Sequence, residues 1–230
     1  MNFKEECLKL NINITEEMEN LFSIYFDTLI ETNKVMNLTN ITEKDEAYNK
    51  HFLDSLYLTK ALDKKEYTLC DVGSGAGFPA LPLAITNPKA NITIIDSLNK
   101  RINFLNNTIS LLNINNIRAI AKRAEDAKEY RETFDYVTAR AVARLNILLE
   151  LCMPLVKVGG SFIAMKSLLA KEELEESKNA IKKLGGELKE VIEYDLPDNA
   201  GSRSLIVIKK ISQTPNAYPR LFKKIKERPL

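Results

Sequence analysis

Scarcity defines much of this 230-residue chain: it has one histidine, no tryptophan and three cysteines. With His51 alone and no cysteine or histidine cluster, a Cys/His zinc site cannot be assembled within one chain, and no metal is expected. A Ser-His-Asp arrangement around His51 would lack its usual companion, because no G-x-S-x-G elbow occurs. Cys7, Cys70 and Cys152 are odd in number, widely spaced and free of any C-x-x-C pair, which points to a reducing compartment, with Cys70 and Cys152 read as core residues. The longest apolar run, Phe78 to Ile85, falls far short of the roughly 20 residues that span a bilayer. Met1 to Glu6 contains no basic region leading into an apolar one, so no secretory signal is expected and the cytoplasm is the expected location.

What is present fits a globular protein that buries a full core. The hydrophobic share is 45%, and a chain of this length can bury roughly 70–75% of its unfolded surface without disulfide or metal staples. Lys and Arg number 33 against 31 Asp and Glu, a net charge of +2 that argues at first against a polyanionic partner. The average conceals segregation. Residues 1–66 carry 8 basic and 13 acidic groups, net −5; residues 67–208 carry 18 and 17, net +1; residues 209–230 carry 7 and 1, net +6.

Met18, Leu21, Phe22, Tyr25, Phe26, Leu29 and Ile30 recur at helical spacing behind an N-capping Thr15, predicting an amphipathic helix over 15–34. A second helix is expected from Thr42, through Phe52, Leu53, Leu56 and Leu58. From Tyr67 the texture becomes short apolar runs alternating with helical stretches, the pattern of a parallel sheet covered on both faces. Strands are expected near 68–72, 91–95, 117–121, 134–139 and 160–165, with helices near 78–86, 98–112, 144–157 and 170–184. Runs at 187–194 and 203–210 are joined by a connector too short for a crossover helix, so they should form an antiparallel hairpin. This divides the chain into an N-terminal helical cap (1–66), an α/β domain (67–210) and a basic C-terminal tail (211–230), together one compact unit.

The most specific local feature is Asp71-Val72-Gly73-Ser74-Gly75-Ala76-Gly77-Phe78-Pro79, where the first strand passes into a helix. Glycines there allow a tight turn and close approach of a ligand to main-chain amides. Asp96 ends the next strand, 23 residues after Gly73, where a doubly wound fold places a carboxylate on ribose hydroxyls. The spacing is G-x-G-x-G with Asp71 before it, unlike the dinucleotide G-x-G-x-x-G, and resembles the S-adenosylmethionine loop of class I methyltransferases. NAD and a structural glycine turn are the alternatives. A cationic sulfonium with no phosphate tolerates a carboxylate near the loop. The terminal hairpin agrees, since a class I methyltransferase sheet has seven strands with the last inserted antiparallel.

Asn37-Leu38-Thr39, His51-Phe52-Leu53-Asp54-Ser55-Leu56, the segment DVGSGAGFPALP from Asp71 to Pro82, Asp96-Ser97-Leu98 with Lys100-Arg101, Arg123-Ala124-Glu125, Thr138-Ala139-Arg140-Ala141, Lys166 and Tyr218-Pro219-Arg220 together resemble the bacterial small-subunit ribosomal RNA methyltransferase G (GidB) family, over essentially the whole chain. The resemblance implies methyl transfer from S-adenosylmethionine to N7 of a guanine in 16S ribosomal RNA, the family target being guanine 527. It places cofactor contacts on Gly73, Gly75, Phe78, Asp96, Ala124, Glu125 and Arg140. Many relatives have glycine where this chain has Ala80, a departure that a helix should tolerate. The remaining alternatives are a methyltransferase of another RNA or a small molecule, and a non-catalytic RNA-binding assembly factor.

Guanine N7 carries an in-plane lone pair and no proton, so its methylation needs positioning rather than a general base; positioning can be worth about 7–11 kcal/mol. Consistent with this, no Pro-Pro box of exocyclic-amine methylation occurs, and no Pro-Cys or Thr-Cys pair offers a nucleophilic thiolate. Arg140 and Lys166 are the expected positioning residues, both at strand exits; a structural ion pair is the other reading of Arg140. His51 is either a packing residue or a contact of substrate or of the Asn37 loop, and is not expected to be catalytic. Arg101, Arg123, Arg144, Lys166 and Arg203 are expected to form a basic rim for RNA phosphates. The tail, with Lys209, Lys210, Tyr218, Arg220, Phe222, Lys223, Lys224, Lys226 and Arg228, reads either as an RNA anchor or as a solvated terminus. The partner implied is 16S ribosomal RNA, naked or in the small subunit, with no membrane and a monomeric enzyme.

Overall fold

Thr15 caps the long helix as its hydroxyl accepts from the Met18 amide at 3.2 Å, and the helix ends where Asn37 turns left-handed. In the computed structural model, which describes residues 1–167 and 170–230, this helix is α2 (Glu16–Met36), preceded by a short α1 (Phe3–Lys9) that the sequence pattern does not disclose. The next helix begins at Lys44 rather than Thr42 and is composite: α3 (Lys44–Ala47), a π-helical turn (Tyr48–Leu53), α4 (Asp54–Leu56) and a 3-10 turn (Tyr57–Ala61). A π segment inside a helix often marks a functional position, and this one carries His51.

Strands β1 (Thr68–Val72), β2 (Asn91–Asp96), β3 (Ile117–Ala121), β4 (Phe134–Arg140), β5 (Val156–Lys166), β6 (Gly186–Asp195) and β7 (Ser202–Lys210) form a seven-stranded sheet in the order β3-β2-β1-β4-β5-β7-β6. β7 runs antiparallel to both β5 and β6, as expected of the late hairpin, whereas the pairings among β1 to β5 are parallel. Helices α5 (Ala80–Thr86), α6 (Asn99–Leu112), α7 (Leu145–Cys152), α8 (Ala170–Lys183) and α9 (Phe222–Glu227) complete the structure. α7 is shorter than its pattern predicts: a 3-10 turn containing Pro154 ends it, and β5 starts four residues early, with Val156 paired to Phe134 across a bulge.

The period of two divides the strands between two cores. Leu69, Tyr136, Ile163, Leu205 and Val207 face the cap helices, α5 and α6; Cys70, Val137, Phe162, Ile206 and Ile208 face α7, α8 and α9. The cap belongs to the first core. Phe22, Tyr25, Leu29, Phe52, Leu53 and Leu56 are all completely buried. At about 1.5–3 kcal/mol per large side chain, their burial contributes on the order of 10 kcal/mol, so the cap is a fixed wall and not a detachable lid.

Candidate functional site

The chain leaves β1, builds outward through β2 and β3, and returns to β4 on the other side of β1, which opens a crevice outside the carboxyl ends of these strands. Its walls include Gly73, Asp96, Ser97, Ala124, Glu125 and Val142, around a volume of about 360 Å³. Two glycines are sterically required. At Gly73, with φ +74°, an added Cβ would lie 2.7 Å from a Val142 methyl; at Gly77, with φ +106°, it would lie 2.5 Å from Leu81 and 2.9 Å from the Tyr25 hydroxyl. That hydroxyl donates to the Ala76 carbonyl at 2.7 Å, so α2 holds the glycine loop in place.

Asp96, 3% exposed, is aimed along this crevice by the Leu98 amide, which donates to one carboxylate oxygen at 2.9 Å, and by the Gly75 amide, 3.3 Å from the other. Arg101 Nη1 also lies 3.5 Å from that second oxygen. Asp71 lies fully buried beneath the loop; one oxygen accepts from the Ser74 hydroxyl and the other, Oδ1, has no hydrogen-bond partner among the described residues. Burial pushes its carboxyl up to about 7, against the lowering effect of the Ser74 bond. A carboxylate at the end of β2, a glycine-rich turn and a buried carboxylate beneath it suit a nucleoside bearing a cationic arm. They do not suit a pyrophosphate.

Ala141, held at φ +56°, separates this crevice from a second pocket of about 430 Å³ and lines both. A left-handed backbone at a residue with a side chain is a local strain, here at the junction of two cavities. The second pocket is walled by Lys50, His51, Asp54, Arg140, Lys166, Glu173, Tyr194 and Arg203 among others. Asp54 is its hub: one oxygen accepts from Arg140 at 2.9 Å, and the other from the Tyr194 hydroxyl at 2.8 Å, with Arg203 Nε 3.9 Å away. Arg140 also donates to His51 Nδ1 at 3.1 Å and lies 5.1 Å over the Phe78 ring. Because Nδ1 accepts, the imidazole proton sits on Nε2, which donates to the Thr39 hydroxyl at 2.7 Å. Burial, aided by the Arg140 charge, pushes His51 down to about 3, so the ring is neutral at pH 7. Lys166 is committed to Glu173 at 2.8 Å and to the Ala143 carbonyl at 2.7 Å, pinning the strained segment to β5.

Of the residues expected to hold a cofactor, Gly73, Asp96, Ala124 and Glu125 line the first crevice. Gly75 supports it through Asp96. Phe78 and Arg140 stand elsewhere. Phe78, 5% exposed, lines neither pocket and is stacked with His51 at 4.5 Å, while Arg140 faces the second pocket in the ion pair with Asp54. Arg101 and Arg123 rim the first crevice, Lys166 and Arg203 the second, and Arg144 turns away to Glu176 at 2.5 Å. The terminus after β7 is not a solvated tail, because Thr214 and Ile225 are buried. Lys210 leaves the basic segment altogether: its ammonium is buried among the Met153 and Val156 carbonyls, Thr214 and Glu132. Arg220 is locked onto the fully buried Glu150 by bonds of 2.8 and 2.6 Å, and the Tyr218 carbonyl accepts from Arg131. Lys223 and Lys224 remain exposed.

Sequence reasoning missed Asp54 as a functional group, along with Tyr194 and Glu173. Asp54 lies three residues after His51, on the same helical face, and that spacing was the available signal. Tyr194 and Glu173 carry no local signal, since the elements bearing them meet the site only in three dimensions.

Comparison with known proteins agrees with this architecture. The sequence profile of the GidB family, described as rRNA small subunit methyltransferase G, matches residues 18–202. A ribosomal RNA small subunit methyltransferase G of Staphylococcus saprophyticus is 50% identical over 212 residues, covering 91% of this chain and 89% of that protein. One from Lactobacillus johnsonii is 48% identical over 226 residues, covering 95% and 94%. Among solved structures, M. jannaschii TYW2 in complex with AdoMet superposes with a TM-score of 0.58 at 17% identity, over 75% of this chain and 80% of that one. The precorrin-6y C5,15-methyltransferase of Geobacter metallireducens gives a TM-score of 0.52 at 12% identity, over 74% and 90%. The sheet order and flanking helices are those of the class I methyltransferase fold, and the chain belongs to the small-subunit ribosomal RNA methyltransferase G (GidB) family.

Proposed function

We propose that this methyltransferase uses S-adenosylmethionine to methylate N7 of a guanine in 16S ribosomal RNA, the position corresponding to guanine 527. The cofactor, when bound, supplies an electrophilic methyl group on a sulfonium. Asp96 accepts the ribose hydroxyls, Gly73 admits the ligand against the main chain, and Ala124 and Glu125 flank the purine. The free oxygen of Asp71 supplies negative potential beneath the loop for the cationic arm. Arg140 and Lys166 shape the acceptor pocket beyond Ala141 and orient the base. Arg101, Arg123 and Arg203, with the exposed Lys223 and Lys224, attract the phosphates. No helix among the described residues is long and apolar enough to cross a membrane, and the proposed RNA substrate places the enzyme in the cytoplasm.

The observation that carries the N7 assignment is the commitment of the acceptor pocket's titratable groups. His51 has both nitrogens bonded and is neutral, Asp54 is held by Arg140 and Tyr194, and Lys166 and Glu173 hold each other. None stands ready to take a proton. An acceptor nitrogen that carries none fits such a pocket; an amine or ring carbon would need a base. The test is mass spectrometry of 16S RNA from cells with the gene, without it, and with Asp96→Ala. One guanine methyl should be lost in the second and third, with Asp96→Ala weakening cofactor binding roughly 10- to 100-fold for a bond to a charged group. An unchanged methylation pattern on deletion would refute the substrate, and unchanged cofactor affinity would refute the role of Asp96.

A further inference from the structure

The first crevice has a wall that none of the nucleotide-loop motifs supplies. Phe222, 37% exposed and the first residue of α9, lines the same cavity as Asp96, Ala124, Glu125 and Leu151, on the side where α7 approaches β3's exit. An aromatic ring left partly open to water at the mouth of a cavity is an unspent apolar surface, and such rings are the usual lining of pockets that take flat ligands. Its position is built rather than incidental. Three residues on, Ile225 is completely buried in the core beneath α7; two residues back, Arg220 grips the buried Glu150; and Arg131 donates to the Tyr218 carbonyl at 2.9 Å and to that of Thr214. These anchors hold the chain on both sides of Phe222.

We infer that Phe222 is a cofactor-binding residue, an aromatic wall for the purine of an adenine nucleoside, and that the C-terminal segment exists in part to place it there. This rests on the proposed S-adenosylmethionine binding. It makes the terminus part of the cofactor site, with only its outward lysines left for RNA. Phe222→Ala should weaken both S-adenosylhomocysteine and 5′-methylthioadenosine roughly tenfold, about 1.4 kcal/mol, because both ligands present the same purine to the ring.

The chain contains no tryptophan, so Phe222→Trp introduces the only tryptophan, at the site, while keeping an aromatic wall. Calorimetry on the full-length wild type and both variants, with melting curves to confirm folding, should show the tenfold loss in Phe222→Ala and near-wild-type affinity in Phe222→Trp. The tryptophan emission should change saturably with the dissociation constant that calorimetry gives. Two results would each overturn the assignment: wild-type affinity for both ligands in Phe222→Ala, or unmoved emission in a Phe222→Trp protein that binds. A loss confined to S-adenosylhomocysteine would also overturn it, since the purine is common to both. A wild-type protein that binds neither ligand would instead refute the cofactor reading, and this assignment with it.

Discussion

Because His51 is the only histidine, its protonation can be isolated in a way few proteins allow. In the folded protein it is pushed down to about 3 from an ordinary 6.5, first by burial and then by Arg140. Between those values the folded chain binds fewer protons than the unfolded chain, so His51 subtracts stability as pH falls through that window. From pH 7.5 to 5.5 the loss is on the order of 1 kcal/mol. Asp71 acts in the opposite sense. Its carboxyl, raised to about 7 by burial, makes the folded state bind the extra proton, and over the same interval it adds on the order of 1–2 kcal/mol. In the wild type these two responses oppose and largely offset each other, whereas His51→Asn, with the opposing group removed, should gain on the order of 1–2 kcal/mol on acidification. Urea denaturation of both proteins at the two pH values, at fixed ionic strength, measures the difference. In parallel, the imidazole Cε1 proton gives one resonance, which should not titrate between pH 8 and about 4.5. A resonance titrating near 6.5, or equal pH responses in the two proteins, would refute the neutral, doubly bonded His51.

Two further outcomes follow from the C-terminal segment. Arg220→Met removes one partner of a pair whose other member, Glu150, is 0% exposed, and should cost about 3–5 kcal/mol in urea denaturation; a loss under about 1 kcal/mol would mean that water reaches Glu150. Replacing Lys223, Lys224 and Lys226 together by alanine should leave the fold and cofactor binding intact but lower the salt dependence of RNA affinity, by about 0.7 in logarithmic slope for each single-strand phosphate that these lysines neutralise; an unaltered slope would show that they do not touch RNA.

The parts of the site legible in the sequence are those written by neighbouring residues. The glycine loop declares itself because its turn needs left-handed backbone within a few positions, and Asp96 because strand, loop and helix lengths in a doubly wound unit vary little. The cap's contribution was legible only as an amphipathic pattern. That α2 holds the loop through Tyr25, 51 residues from Ala76, is a property of packing. Charge was the poorest guide. Lys210 and Arg220 look in the sequence like Lys223 and Lys224, yet the first two are spent on buried partners and the last two stand in water.

By itself, then, the sequence determined the layered α/β sheet, its antiparallel end, and the place of the glycine-loop crevice, since strands buried on both faces and a glycine turn are local necessities of composition and spacing. Only the tertiary structure decided which charges remain free. Arg140 meets Asp54 across 86 residues, Tyr194 meets it across 140, and Phe222 reaches a crevice whose other walls lie at least 71 residues away. A charge or a ring acquires its role from what desolvates and pairs it, and those partners are chosen by the fold.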